Sequence, residues 1–335
     1  MTDLLEKLSL NNENCTDIIV NITDLEFKAE EDSMCFVTKE APPVKYFFKF
    51  DPQDSKNQKI AHAQKQFCKA LGIPHAFFVS NRPQMKEKNV KSWKYALDVD
   101  SKKSTYRLKV RMSEGFNTIR SIVPVNNISL GNQEILDLVT QAVQEPFRME
   151  FCSGAERDDL VFHVRFLLNR KFDWKGEYYS LGFSVVSSEL GACGLTVEAL
   201  IFHEATETSY VASYGEGSYF SIKYDGAQIE DLRQFLLVVV RRVVSSEAEF
   251  KLQLDDDLPF LGTQETCRLI SKVKGLPTSV RHGVYHEASE EGSNMDTNLK
   301  FAKVLSRMSK KFDIIKRIEV ERVAGSLLNF NFSKI

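Results

Sequence analysis

Arg107, Lys109 and Arg111 occupy every second position of the run Ser104-Thr-Tyr-Arg-Leu-Lys-Val-Arg-Met112, and in an extended chain that spacing sends all three side chains to one face. A row of guanidinium and ammonium groups meets phosphate oxygens, the part of a nucleic acid that carries charge without carrying sequence. Tyr106, Leu108, Val110 and Met112 fill the alternate positions, so the opposite face of the same strand is apolar. Lys102 and Lys103 precede the strand and Arg120 lies in the run that follows it. The competing assignment is an edge strand whose like charges face water or neighbouring carboxylates and discourage further pairing.

A second group, Arg165-Phe-Leu-Leu-Asn-Arg-Lys-Phe-Asp-Trp-Lys175, is followed by Tyr178 and Tyr179. Its Arg165, Arg170, Lys171, Trp174 and Lys175 pair positive charge with flat rings. Single-strand binders use that combination, because bases stack on aromatics while phosphates meet Arg and Lys. Core aromatics beside a basic loop would give the same composition.

The other chemistry-bearing residues form no complete motif. His282 and His286 stand four apart beside Glu287, a zinc-like spacing weakened by Gly283 and by a Glu outside the pair. Asp255-Asp-Asp257 lacks the ligand spacing of a calcium loop, and no phosphate-cradling glycine motif is present. Ser188 and Cys193 lack the positioned base that a nucleophile needs. The expectation is therefore no catalytic residue, no metal and no cofactor.

These groups must be held by ordinary elements. The chain of 335 residues is 43% hydrophobic and 27% charged with net charge −2, values of a globular protein with room for one large or two smaller cores. No apolar run reaches membrane-spanning length and the start lacks a secretory pattern, so the expected setting is the cytoplasm. Six cysteines without a Cys-x-x-Cys pair read as reduced thiols. Charge is uneven along the chain: residues 85–120 hold ten Lys/Arg against four acids, a local excess of six.

A helix is predicted from Asp54 or Ser55 to Leu71, stopped by Gly72 and Pro74. Gly115 predicts a hairpin between the cationic strand and Asn117–Val125. A helix at Gln133–Val143, strands at Leu160–Leu168, Tyr179–Val186 and Leu195–Phe202, a long amphipathic helix from Gln228, and helices near 263–274, 296–312 and 314–328 complete the reading. Gly191-Ala-Cys-Gly194 is read as a turn in which Ser188 and Glu189 cap backbone groups. The fold class is α+β, with a mainly antiparallel central sheet flanked by helices and a helical C-terminal part. The expected organisation is a lead-in over 1–40, a core domain over 41–250 and a helical subdomain over 251–335.

Phe67-Cys-Lys-Ala-Leu-Gly-Ile-Pro74, Asn89-Val-Lys-Ser-Trp93, the Arg107–Arg111 hairpin and Gly182-Phe-Ser-Val-Val-Ser-Ser-Glu-Leu-Gly191, with a closing helical segment from Asn298 to Gly325, together resemble an uncharacterised family encoded by phages, plasmids and other mobile elements. The resemblance spans roughly residues 45–328. His203-Glu-Ala-Thr206 departs from it, standing where a Cys and an Asn-Gly pair would be expected. It implies a mobile-element setting and carries over no functional residue. The resulting expectation is a non-enzymatic protein that contacts single-stranded or unwound DNA through the basic sheet face, in several copies, inside a host cell. The alternative is a phage factor that binds a host or phage protein through the Tyr-rich stretch at 210–224 and the acidic stretches at 247–257 and 287–296.

Overall fold

The computed structural model describes residues 15–30, 33–48, 58–99, 105–113, 115–151, 161–174, 176–211, 219–224, 228–245, 260–274, 276–290, 295–312 and 314–328. The fold is α+β, with two mainly antiparallel sheets. Two compact units are formed, one from 1–133, 188–193 and 223–229, the other from 134–187, 194–222 and 230–335. This division differs from the expected lead-in, core and helical tail. The stretch before residue 40 supplies strands to the first sheet, and the C-terminal helices belong to the same unit as the second.

The first unit opens with β1 (Cys15–Asn21), a single 3-10 turn, β2 (Leu25–Ala29), β3 (Met34–Thr38) and β4 (Lys45–Phe48). Three helices follow, α1 (Gln58–Leu71), α2 (His75–Ser80) and α3 (Pro83–Val99), and then the hairpin β5 (Thr105–Ser113) and β6 (Phe116–Pro124). The strand order is β1-β5-β6-β4-β3-β2, antiparallel except where β4 meets β6. Alternation decides which side chains are covered. Leu108, Val110, Ile119 and Ile122 join Phe27, Phe36 and Phe48 in one core with Phe67, Phe78 and Val90 from the helices. Six rings there (Phe27, Phe36, Phe48, Phe67, Phe78 and Trp93) make edge-on and tilted contacts, for example Phe48–Phe67 at 5.1 Å and Phe36–Phe67 at 5.3 Å, arrangements that add to plain area burial. Met112, expected on this apolar face, is 57% exposed at the hairpin end. Gly72 and Gly115 have φ of +68° and +81°, the left-handed conformation that ends α1 and closes the hairpin.

The second unit holds α4, which begins at the junction (Asn132–Ala142), then β7 (Phe147–Phe151), β8 (Phe162–Trp174), β9 (Glu177–Ser187), β10 (Leu195–His203), β11 (Thr208–Val211) and β12 (Tyr219–Ile222). The sheet runs β11-β10-β9-β8-β7, with β12 also paired to β10. Every residue of β10 is buried, Thr196, Glu198 and His203 among them, so this strand is covered on both faces. Helices α5 (Ile229–Ser245), α6 (Thr263–Lys272), α7 (Thr278–Ser289), α8 (Asn298–Ser309) and α9 (Ile314–Leu328) follow. α5 buries Leu232, Leu236, Val239, Val240 and Val243, the stripe its periodicity predicts. α7 was not expected to be continuous because of Gly283. It is, and the reason for the glycine is spatial: a Cβ there would fall 1.7 Å from Met308 Cε.

Candidate nucleic-acid interface

On the outer face of β5 the register with β1 sets Cys15, Asp17 and Ile19 opposite Arg111, Lys109 and Arg107. Arg107 Nη1 lies 3.4 Å from Asp17 Oδ2, and its Nη2 donates to the Val125 carbonyl at 3.3 Å. Lys109 Nζ is 3.4 Å from Glu189 Oε2. Arg120 Nη1 approaches Cys15 Sγ at 3.5 Å, and Arg111 is half-buried. Arg107 and Lys109 are thus matched to carboxylates of their own unit. Lys102 and Lys103 lie outside the described residues.

The loop that brings Glu189 here is built as its residue types require. Ser188 Oγ accepts the N–H groups of Leu190 and Ala192 at 3.2 and 3.0 Å. Glu189 Oε1 accepts the N–H of Asn132 at 2.6 Å, placing a carboxylate at the positive N-terminus of α4. The Leu190 carbonyl receives Gln66 Nε2 at 2.7 Å, and Gly191 turns at φ +72° with Val123 packed close to it. The capping turn read at Ser188 and Glu189 is therefore present, with both side chains spent on backbone groups. Burial pushes the Cys193 thiol up to about 11, so it is a protonated thiol at neutral pH rather than a nucleophile.

The basic and aromatic group of the second unit is occupied internally. Arg165 is 2% exposed and donates to both oxygens of Glu321, at 2.6 and 2.8 Å, while Arg317 Nε reaches the same carboxylate at 2.9 Å. A closed guanidinium cannot touch a polyanion, so Arg165 leaves the candidate list. Arg165 and Phe166 point to opposite faces of β8 and both are buried, the Arg165 face being covered by α9. Arg170 pairs with Glu145, and Lys171 lies 3.4 Å from Glu204. Trp174 packs edge-on against Tyr179 at 5.7 Å, which in turn stacks on Phe172 at 5.8 Å. Lys175 lies outside the described residues.

The cations left without an ion pair are elsewhere. From 58 to 99 the chain has eight Lys/Arg and two acids, Glu87 and Asp98. Lys65 and Lys69 on α1, Arg82 just before α3, and Lys88 and Lys91 on α3 are all exposed, and among the described residues they make no salt bridge. Glu87 is turned away, its carboxylate accepting the Ala29 N–H of β2 at 2.9 Å. On α3 the exposed residues Gln84, Lys88, Lys91 and Tyr95 recur at four and three residue intervals, which is one stripe of a helix. Tyr95 is 75% exposed and Phe77, on α2, is 54% exposed. The signal was in the sequence: Pro83 at a helix start, then buried Val90 and half-buried Trp93 three apart. The excess of positive charge over 85–120 had been attached to the strand that follows instead.

Known protein families, curated proteins and solved structures give no match to the chain.

Three further groups complete the inventory. Glu177 accepts from Lys303 Nζ at 2.6 Å and from Tyr179 OH at 2.8 Å, and lies 3.5 Å from His203 Nε2, while His203 Nδ1 meets Thr206 Oγ1 at 2.5 Å. Burial holds His203 below its ordinary range. Because Lys303 and Tyr179 already hold the carboxylate, this chain joins β9, β10 and α8 as a clamp and leaves Glu177 little basicity to pass on. His282 and His286 are exposed on α7, the latter 3.2 Å from Glu290; among the described residues no group of three metal-ligating side chains occurs, and Asp255–Asp257 lie outside them. No helix among the described residues is long and apolar enough to cross a membrane.

Proposed function

We propose that this chain is a non-enzymatic nucleic-acid-binding protein of the kind carried by phages and other mobile elements, working in the cytoplasm of a host cell, and that its first unit does the binding. One observation carries the reading: Lys65 and Lys69 of α1, Arg82, and Lys88 and Lys91 of α3 are exposed and among the described residues make no salt bridge, in a chain whose net charge is −2. Positive charge held apart in this way serves a polyanion, because each phosphate contact releases condensed counterions. The mobile-element setting rests on the resemblance of the Gly182–Gly191 segment and its companions. A second reading, a factor that docks on a host or phage protein, draws support from the apolar exposure of Phe77, Val79 and Met85 beside the same cations.

Fluorescence anisotropy of a labelled oligonucleotide with the full chain tests the first reading. With five phosphate contacts, affinity for a single strand falls about 100-fold between 50 and 200 mM salt. No binding at 50 mM overturns it and leaves the protein-docking reading.

A further inference from the structure

We infer that the nucleic acid is a single strand lying along α3, over the stripe Gln84–Lys88–Lys91–Tyr95, and not across the outer face of β5; the inference rests on the binding function proposed above. Three properties of the stripe select this occupant. First, its cations are available. A phosphate reaching Arg107 or Lys109 must displace Asp17 or Glu189, whereas Lys88 and Lys91 are exposed and make no salt bridge among the described residues.

Second, the stripe carries no competing acid. Glu87 sits on the margin of the helix, held by the Ala29 N–H, so the field along the exposed face has one sign. Arg82, exposed one residue before α3, extends that field beyond the helix's N-terminal end.

Third, an aromatic ring stands among the charges. Tyr95 follows Lys91 by one turn and Lys88 by two, and the stripe from Gln84 to Tyr95 covers about 16 Å at 1.5 Å per residue. A phenol ring with three-quarters of its surface in water has a face free for stacking. The bases of a duplex are stacked on each other and cannot use it, while those of a single strand can. Charge and ring on one helix face therefore favour a single strand over a duplex.

The test measures anisotropy of a fluorescent thymidine oligonucleotide and of a duplex of equal length, with the full chain and three variants. The parent is expected to prefer the single strand. K88A/K91A flattens the plot of log affinity against log salt by about 1.4. Y95A weakens single-strand binding about 5-fold to 150-fold, leaves the salt slope unchanged and leaves duplex binding as it was. R107A/K109A changes neither by as much as K88A/K91A does. All five positions are at the surface or partly so, and unchanged thermal midpoints establish that each variant is folded. A parent that binds while K88A/K91A and Y95A bind equally well places the site elsewhere, overturning this inference but not the binding function. A parent that prefers duplex, with Y95A silent, overturns the choice of single strand. A parent that binds neither removes the proposed function itself.

Discussion

Arg165 and Glu321 stand 156 residues apart in the chain and meet through two hydrogen bonds, at 2.6 and 2.8 Å, with almost no solvent contact on either side. Arg165 projects from β8 and Glu321 from α9, so this pair fixes where the last helix lies on the second sheet. Removing one partner strands the other as a buried charge: Glu321→Ala should cost about 3–5 kcal/mol in a urea titration. The triple change R165M/R317M/E321L, which also removes the Arg317 guanidinium held by the same carboxylate, should cost much less, and in a folded variant should leave oligonucleotide affinity at the parent's value. A drop in affinity for that variant would return Arg165 to the interface.

Gly182 faces the sharpest steric limit. A Cβ there would fall 2.2 Å from the carbonyl oxygen of Phe166, a backbone atom on the neighbouring strand that cannot swing aside. Gly182→Ala should therefore destabilise by about 3 kcal/mol, seen as a lower thermal midpoint. Gly283→Ala meets the movable end of Met308 and should cost clearly less.

His163 is fully enclosed, and burial together with the nearby Arg165, Arg317 and Arg322 charges holds its pKa well below the ordinary histidine range. A depressed pKa adds stability that is present above the unfolded value and is lost as pH falls below it, since the unfolded chain takes up a proton the folded chain refuses. Stability should therefore fall as pH goes from 7.5 to 5.5. Denaturant titrations at both values should show the loss, and His163→Gln should shrink the difference between them whatever it does to absolute stability.

Glu189 holds two partners at once, Lys109 and the Asn132 N–H. Glu189→Gln keeps an acceptor for the amide but drops the charge, and should cost about 1 kcal/mol; Glu189→Ala loses both and should cost about 2 kcal/mol. Equal losses for the two changes in urea titrations would mean that the carboxylate charge alone matters there.

Local patterns were legible wherever one residue's neighbours in sequence decide its fate. The alternation of β5 placed Leu108 and Val110 inward and Arg107 and Lys109 outward, as observed. What sequence could not supply was the partner. Asp17 reaches Arg107 only through the register of β1 on β5, and Arg165 is dry only because α9 crosses its face. The strands before residue 40 are short, and the alternating Leu25, Phe27 and Ala29 of β2 was obscured by the acids between and around them. In α7 the local cost of Gly283 argued against a helix, and the closeness of Met308, which leaves no room for a Cβ there, was not visible in sequence.

The acid that neutralises Lys109 is encoded 80 residues after it. At 5–20 residues per second, a ribosome needs about 4–16 s to go from one to the other. Throughout that interval neither the carboxylate that meets Lys109 nor the loop that receives Gln66 has been made. A fragment ending at residue 133 would stay in that incomplete state permanently, so the first unit is matured by a piece of chain made long after its own strands.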